Sequence, residues 1–149
     1  MQNMWHEDYL RQALKIELAA GHLKETNTLT ETFNLLKNYY PVSGSKIAWR
    51  HIEDAIESTE KDESFIEFFD RIKSQFGLIG SVLYAGDSLT DFVLEGSIYS
   101  IQKVLPKLFE VPQHHYFIGP NFTWCMSMTI EGDMGFGTNR RILSEHQNA

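Results

Sequence analysis

The hydrophobic pattern changes period once, near Phe76-Gly77, and that switch limits what this chain can fold into. Before it, apolar residues recur at helical spacing. Leu10, Ala13, Leu14, Glu17 and Leu18 mark one helix, and Gly21 is a natural stop. Thr28 and Glu31 have capping-box spacing, and Leu29, Phe33, Leu36 and Tyr40 follow until Pro41 halts the run. Ala48, Ile52, Ala55 and Ile56 predict a third helix. Ser64 and Glu67 form a second capping box at the head of Phe65, Phe69, Ile72 and Phe76.

After Gly77 the pattern turns to β. Leu78 to Ala85 is a short apolar run and Phe92-Val93-Leu94 another, separated by the turn-rich Gly86-Asp87-Ser88. Ile98, Ile101, Leu105 and Leu108 return to helical spacing, with Pro106 kinking or restarting that helix. Tyr116-Phe117-Ile118 and Thr123 to Ile130 predict two strands joined at Gly119-Pro120-Asn121. In the second, Trp124, Met126, Met128 and Ile130 share one face. Gly132, Gly135 and Gly137 mark bends or turns. The expected class is α+β: N-terminal helices followed by a small antiparallel sheet with one embedded helix. A chain of 149 residues fits one domain, with a helical region over residues 1–76, a sheet-rich region over residues 77–138 and a flexible tail over residues 139–149.

Composition narrows the function. Twenty acidic residues against thirteen basic ones give a formal charge of −7, which argues against general nucleic-acid binding, since phosphate contacts need a basic face. The lone Cys125 excludes an intramolecular disulfide framework and a cysteine-only zinc site. The start, Met1-Gln2-Asn3-Met4-Trp5-His6-Glu7-Asp8, has neither a basic n-region nor an apolar h-region. No stretch approaches the roughly 20 apolar residues that span a bilayer. The expected address is the cytoplasm, with no membrane partner.

Several constellations invite chemistry. Tyr84-Ala85-Gly86-Asp87-Ser88-Leu89-Thr90-Asp91 resembles the first block of the GDSL (SGNH) esterases and lipases, and Gly119-Pro120-Asn121 is similar to that family's Gly-x-Asn block. The resemblance implies a nucleophilic Ser88 and an oxyanion donor at Asn121. The family's closing Asp-x-x-His block, which supplies the base, has no match: Leu143 stands three residues before His146, and Glu110-Val111 precede His114-His115. The family's fold also wants a helix where Phe92-Val93-Leu94 continues as strand. A Gly-Asp-Ser hairpin turn accounts for the segment as well.

His114-His115 could contribute one ligand to a zinc or manganese site with Glu131 or Asp133, because adjacent strand residues point to opposite faces. The plainer expectation is one exposed and one hydrogen-bonded histidine, and no metal or cofactor. Cys125, between Trp124 and Met126, reads as a small buried hydrophobe rather than a thiol nucleophile. Gly135-Phe136-Gly137-Thr138-Asn139-Arg140-Arg141 could offer amides and arginines to a phosphate, but lacks Walker or Rossmann context and reads as a flexible tail. Phe65, Phe68, Phe69 and Phe76 cover more of a helix than one stripe needs. They suit a helix between two packing surfaces, or the interface of a dimeric adaptor.

The acids are clustered. Between Glu53 and Asp70, eight acids face Lys61 alone. Farther on, Asp87 and Asp91 flank one predicted hairpin, and Glu131 and Asp133 another. Such charges either keep a surface solvated or steer in a basic protein. His114-His115-Tyr116-Phe117, Phe122-Thr123-Trp124-Cys125 and Glu131-Gly132-Asp133-Met134-Gly135-Phe136-Gly137 together resemble the ending of small bacterial immunity proteins, partners of polymorphic or contact-dependent toxins. The resemblance covers the C-terminal third and implies stoichiometric inhibition, with no reaction carried out by this chain. The expectation is an acidic binding protein, monomeric or dimeric, that occludes a basic toxin nuclease. Asp87, Asp91, Glu131 and Asp133 are the expected contact surface, and Glu53, Asp54 and Glu57 the competing patch. A small serine hydrolase using Ser88 is the alternative of another class.

Overall fold

A strand that is apolar on both faces must lie between two layers of structure, and the second half of the chain supplies two of them. The computed structural model describes residues 2–139, with side chains from Trp5 onward. In it, β7 (His115–Ile118) and β8 (Trp124–Met128) are buried at every position. They lie inside a seven-stranded antiparallel sheet. The remaining strands are β1 (Leu23–Thr26), β4 (Ile56–Thr59), β5 (Ser81–Gly86), β6 (Val93–Ser97) and β9 (Asp133–Thr138). The strand order is β1-β6-β5-β7-β8-β9-β4.

Helices α1 (Gln2–Ala13), α2 (Lys15–Ala19), α4 (Phe65–Phe76), α5 (Ile98–Lys103) and α6 (Leu105–Leu108) cover one face. There Leu10, Phe69, Ile101 and Leu105 meet Tyr84, Leu94, Phe117 and Met126. Helix α3 (Leu29–Tyr39), the hairpin of β2 (Val42–Ser43) and β3 (Lys46–Ile47), and a 3-10 turn at Trp49–His51 cover the other. There Leu36, Tyr40, Ile47 and Trp49 pack on Tyr116, Ile118 and Cys125. The class is α+β. No helix among the described residues is long and apolar enough to cross a membrane.

Local signals are strongest at α4. The Ser64 hydroxyl accepts the Glu67 N–H at 3.1 Å, and the Glu67 carboxylate accepts the Ser64 N–H at 2.9 Å. Gly77 closes the helix at φ 60°, ψ 42°. Phe68, Phe69 and Ile72 are fully buried in one core while Ile66 and Phe76 stay exposed, so this helix packs along a single stripe rather than between two surfaces. At Thr28 the capping box does not form; the Thr28 hydroxyl instead lies 2.9 Å from the Thr26 hydroxyl. Helices α1 and α2 are one run kinked at Leu14, and Gly21 ends it at φ 79°. The embedded helix is likewise split at Val104.

The stripe Ala48-Ile52-Ala55-Ile56 is not a helix. After the 3-10 turn, Asp54 takes φ 61° and Ile56 enters β4 opposite Phe136. Long-range pairing overrides the local period here, because the β9 edge offers a full ladder of hydrogen bonds. The sheet therefore draws β1 and β4, and the small sheet its hairpin, from the stretch whose pattern is helical. Gly135 and Gly137 are not bends but interior strand residues. Their missing side chains let the Trp49 indole lie against β9: a Cβ on Gly135 would sit 2.0 Å from Trp49 Nε1. The predicted Leu78–Ala85 strand begins only at Ser81, leaving Ile79 exposed, and the second strand ends at Met128, leaving Ile130 exposed. Thr138 belongs to β9, and Asn139 is buried, its N–H bonded to the Thr123 carbonyl. The rest of the expected tail, with Arg140, Arg141, Leu143 and His146, lies outside the described residues.

Candidate functional site

The turn after β5 is shaped by one buried amide. Gln113 Oε1 accepts the N–H groups of Ser88 and Leu89 at 3.2 and 2.8 Å. Its Nε2 donates to Thr90 Oγ1 at 3.0 Å and to the Tyr84 hydroxyl at 3.3 Å. Gly86 leaves room for this amide, since a Cβ there would meet Gln113 at 2.0 Å. The Tyr84 hydroxyl also hydrogen-bonds His115 Nδ1 at 2.7 Å. Burial, reinforced by the neighbouring His114, pushes His115 down to about 4, so this imidazole is neutral at pH 7.

Asp87 and His114 carry the order to the next turn. Asp87 Oδ1 accepts the His114 N–H at 2.9 Å, and His114 Nδ1 accepts the Ile130 N–H at 2.9 Å. The β8–β9 turn is further locked by Thr129 N–H to the Asp133 carbonyl at 2.8 Å and Asp133 N–H to the Thr129 hydroxyl at 3.1 Å. It holds Ile130, Glu131 and Asp133 outward with little freedom left to lose. Lys46 reaches across from β3 to Glu131 at 2.9 Å and holds that carboxyl below its usual range. Beside it lies a cleft of about 520 Å³ with Trp49, Lys46, Glu57, Asp62 and Asp133 on its walls.

Sheet register decides which expected contact residues meet. Glu57 pairs with Gly135 and Thr59 with Asp133, so Glu57 joins the Asp133 patch that it was expected to rival. Asp87, Glu131, Asp133 and Glu57 thus border the β2–β3 hairpin at one end of the sheet. Glu53 lies at the other end of β9, by Thr138, and Asp54 follows it. Asp91 turns away to the N-terminal helix, where its carboxyl shares a hydrogen bond with that of Glu7. Lys46, Gln113, Trp49 and Glu7 carry no motif, and sequence reasoning passes over them.

Burial, then the bond and charge of Asp91, raise Glu7 from 4.5 to about 7, against the opposing pull of Arg11. A carboxyl whose folded value lies above its unfolded one stabilises the fold fully below pH 4.5, and that stability is lost as pH rises through about 7. Glu7→Gln should therefore gain stability over the wild type by about 1–2 kcal/mol at about pH 8.5, and little at about pH 4. Urea unfolding of both proteins at the two pH values checks this, and a constant difference contradicts it.

The other candidates are placed apart. Ser88 follows the end of β5 that pairs with His115, whereas Asn121 follows the opposite end of β7. The four residues of β7 separate them, about 13 Å at strand spacing. His114 and His115 are committed to Ile130 and Tyr84 rather than to the Ser88 hydroxyl. Both are buried, so neither is the exposed histidine expected. Cys125 is fully buried, and burial pushes its thiol far up, away from thiolate chemistry. No group of three or more His, Cys, Asp or Glu among the described residues could hold a metal ion. No family model matches the sequence, and no curated protein is significantly similar to it.

Proposed function

We propose that this chain is an acidic cytoplasmic binding protein that neutralises a basic partner, an immunity protein occluding the active site of a toxin nuclease. The observation that supports it best is the convergence of Asp87, Glu57, Glu131 and Asp133 around the β2–β3 hairpin, two of them on a turn locked by hydrogen bonds. A nuclease needs a basic cleft to hold its substrate, and a rigid anionic surface competes for that cleft. Rigid donors and acceptors lose little entropy on docking, which favours a tight stoichiometric complex. The exposed Ile130, next to Glu131 on the same turn, adds an apolar contact to this surface.

The test begins with the protein encoded immediately beside this chain in its genome. Co-expression should protect cells from that protein's toxicity, and the purified pair should form a complex in which nuclease activity is lost. A neighbour that binds yet stays active, or a toxin that kills cells regardless, would overturn the assignment.

A further inference from the structure

Asp87 keeps one carboxylate oxygen without a protein partner among the described residues. Its side chain is only 18 % exposed, yet the nearest cationic candidate is His114 Nε2, 4.0 Å from Oδ2, too far for a hydrogen bond. Oδ1 is used by the His114 N–H, so Oδ2 has no hydrogen-bond partner among the described residues. That oxygen stays open to solvent and to an incoming cation, which a charge-assisted hydrogen bond would hold. Asp87 also borders a cavity of about 290 Å³ between α3, the β2–β3 hairpin and the sheet. Phe33, Leu36, Val42, Ile47 and Tyr116 form the apolar portion of its lining. The Phe33 and Tyr116 rings meet edge to face with centroids 5.2 Å apart, and the Tyr116 hydroxyl is fixed to the Ser45 carbonyl.

We infer that this cavity receives one arginine side chain of the basic partner, with the guanidinium on the free oxygen of Asp87 and the stem against Phe33 and Val42. The inference rests on the binding function proposed above and names the contact at its centre. Three properties favour that occupant. The volume is at the lower limit for a small-molecule site and suits a single long side chain. A planar guanidinium gains from both a carboxylate and an aromatic wall, and it gives up less hydration than an ammonium. Asp87 is the one acid among the described residues that line the cavity, so an occupant that pairs with it carries positive charge. Lys37 also lines the cavity, but its side chain is exposed and can hold its charge in water.

The experiment needs no partner. The full chain, labelled with nitrogen-15, is titrated with N-acetyl-arginine-N-methylamide and with the citrulline analogue, which has the same shape without the charge. Saturable shifts confined to Ser45, Asp87, Tyr116 and their neighbours are expected for the arginine probe, with binding at least about tenfold weaker for citrulline. Asp87→Asn, which keeps an acceptor for the His114 N–H, should lower arginine binding to the citrulline level. Phe33→Ala, at a half-buried wall, should weaken it severalfold. Equal response to both probes, or shifts scattered over the acidic surface, would overturn the inference. That failure would leave the neutralisation test with the neighbouring protein intact, so the two ideas fall separately.

Discussion

Gly135→Val is expected to be the most damaging single substitution at the surface-forming end of this protein. The new Cβ would begin 2.0 Å from Trp49 Nε1, and the indole has nowhere simple to go, being 8 % exposed and packed with Ile47, Tyr40 and Ile118. Relief requires either a shift of β9 against β8 and β4 or expulsion of the tryptophan. Overpacking of this kind costs about 3 kcal/mol. For a chain of this length that lowers the melting temperature by about 6–12 °C. A thermal melt followed by tryptophan fluorescence reads both the loss and the movement of Trp49. Gly137→Ala should be milder, because its Cβ would meet Ile52 and Trp49 only at 3.1 Å. Unchanged melting of Gly135→Val would contradict the placement of the indole on the strand. Since Trp49 also lines the cleft beside Glu57 and Asp133, the same substitution should disturb the anionic surface.

The relation between sequence and fold is clear at particular residues. Ser64, Glu67 and Gly77 bound α4 as their spacing predicts, because caps act over three or four residues and need nothing distant. The central strands are legible from their apolar runs, and Cys125 from its apolar neighbours. Ile56 misleads because four apolar residues fit a helical period by chance, while its true partner, Phe136, lies eighty residues away. Gly135 misleads for a related reason. A glycine in sequence signals a bend unless one knows that an indole lies across it. The short strand β1 (Leu-Lys-Glu-Thr) carries almost no pattern at all and exists by pairing with β6.

The candidate surface is half visible in the same way. The acids can be counted, and the turns holding Asp87, Glu131 and Asp133 can be expected from Gly and Asp. Their grouping cannot, because it depends on which strands become neighbours. Register brings Glu57 to Asp133 and sends Glu53 to the other end of β9. The carboxyl pair of Glu7 and Asp91 joins residues at opposite ends of the helical region and the first hairpin, and no spacing rule could announce it.

The second large effect concerns binding. Replacing both Glu131 and Asp133 by Lys reverses two exposed charges on the locked turn without touching the core. Association with the neighbouring-gene protein should slow by roughly tenfold or more at low salt, since opposite charges steer encounter before any contact forms. The difference should shrink at about 500 mM salt, where the Debye length falls to a few ångströms. Glu53→Lys, at the far end of β9, should change the rate by less than about threefold.

Stopped-flow association rates across this salt range, for the wild type and these two variants, test the central claim that a preformed anionic surface captures a basic partner. The expected result is a steep fall of the wild-type rate with salt and a slow, nearly salt-independent rate for the double reversal. Wild-type rates indifferent to salt, or a larger loss in Glu53→Lys than in the double reversal, would contradict it.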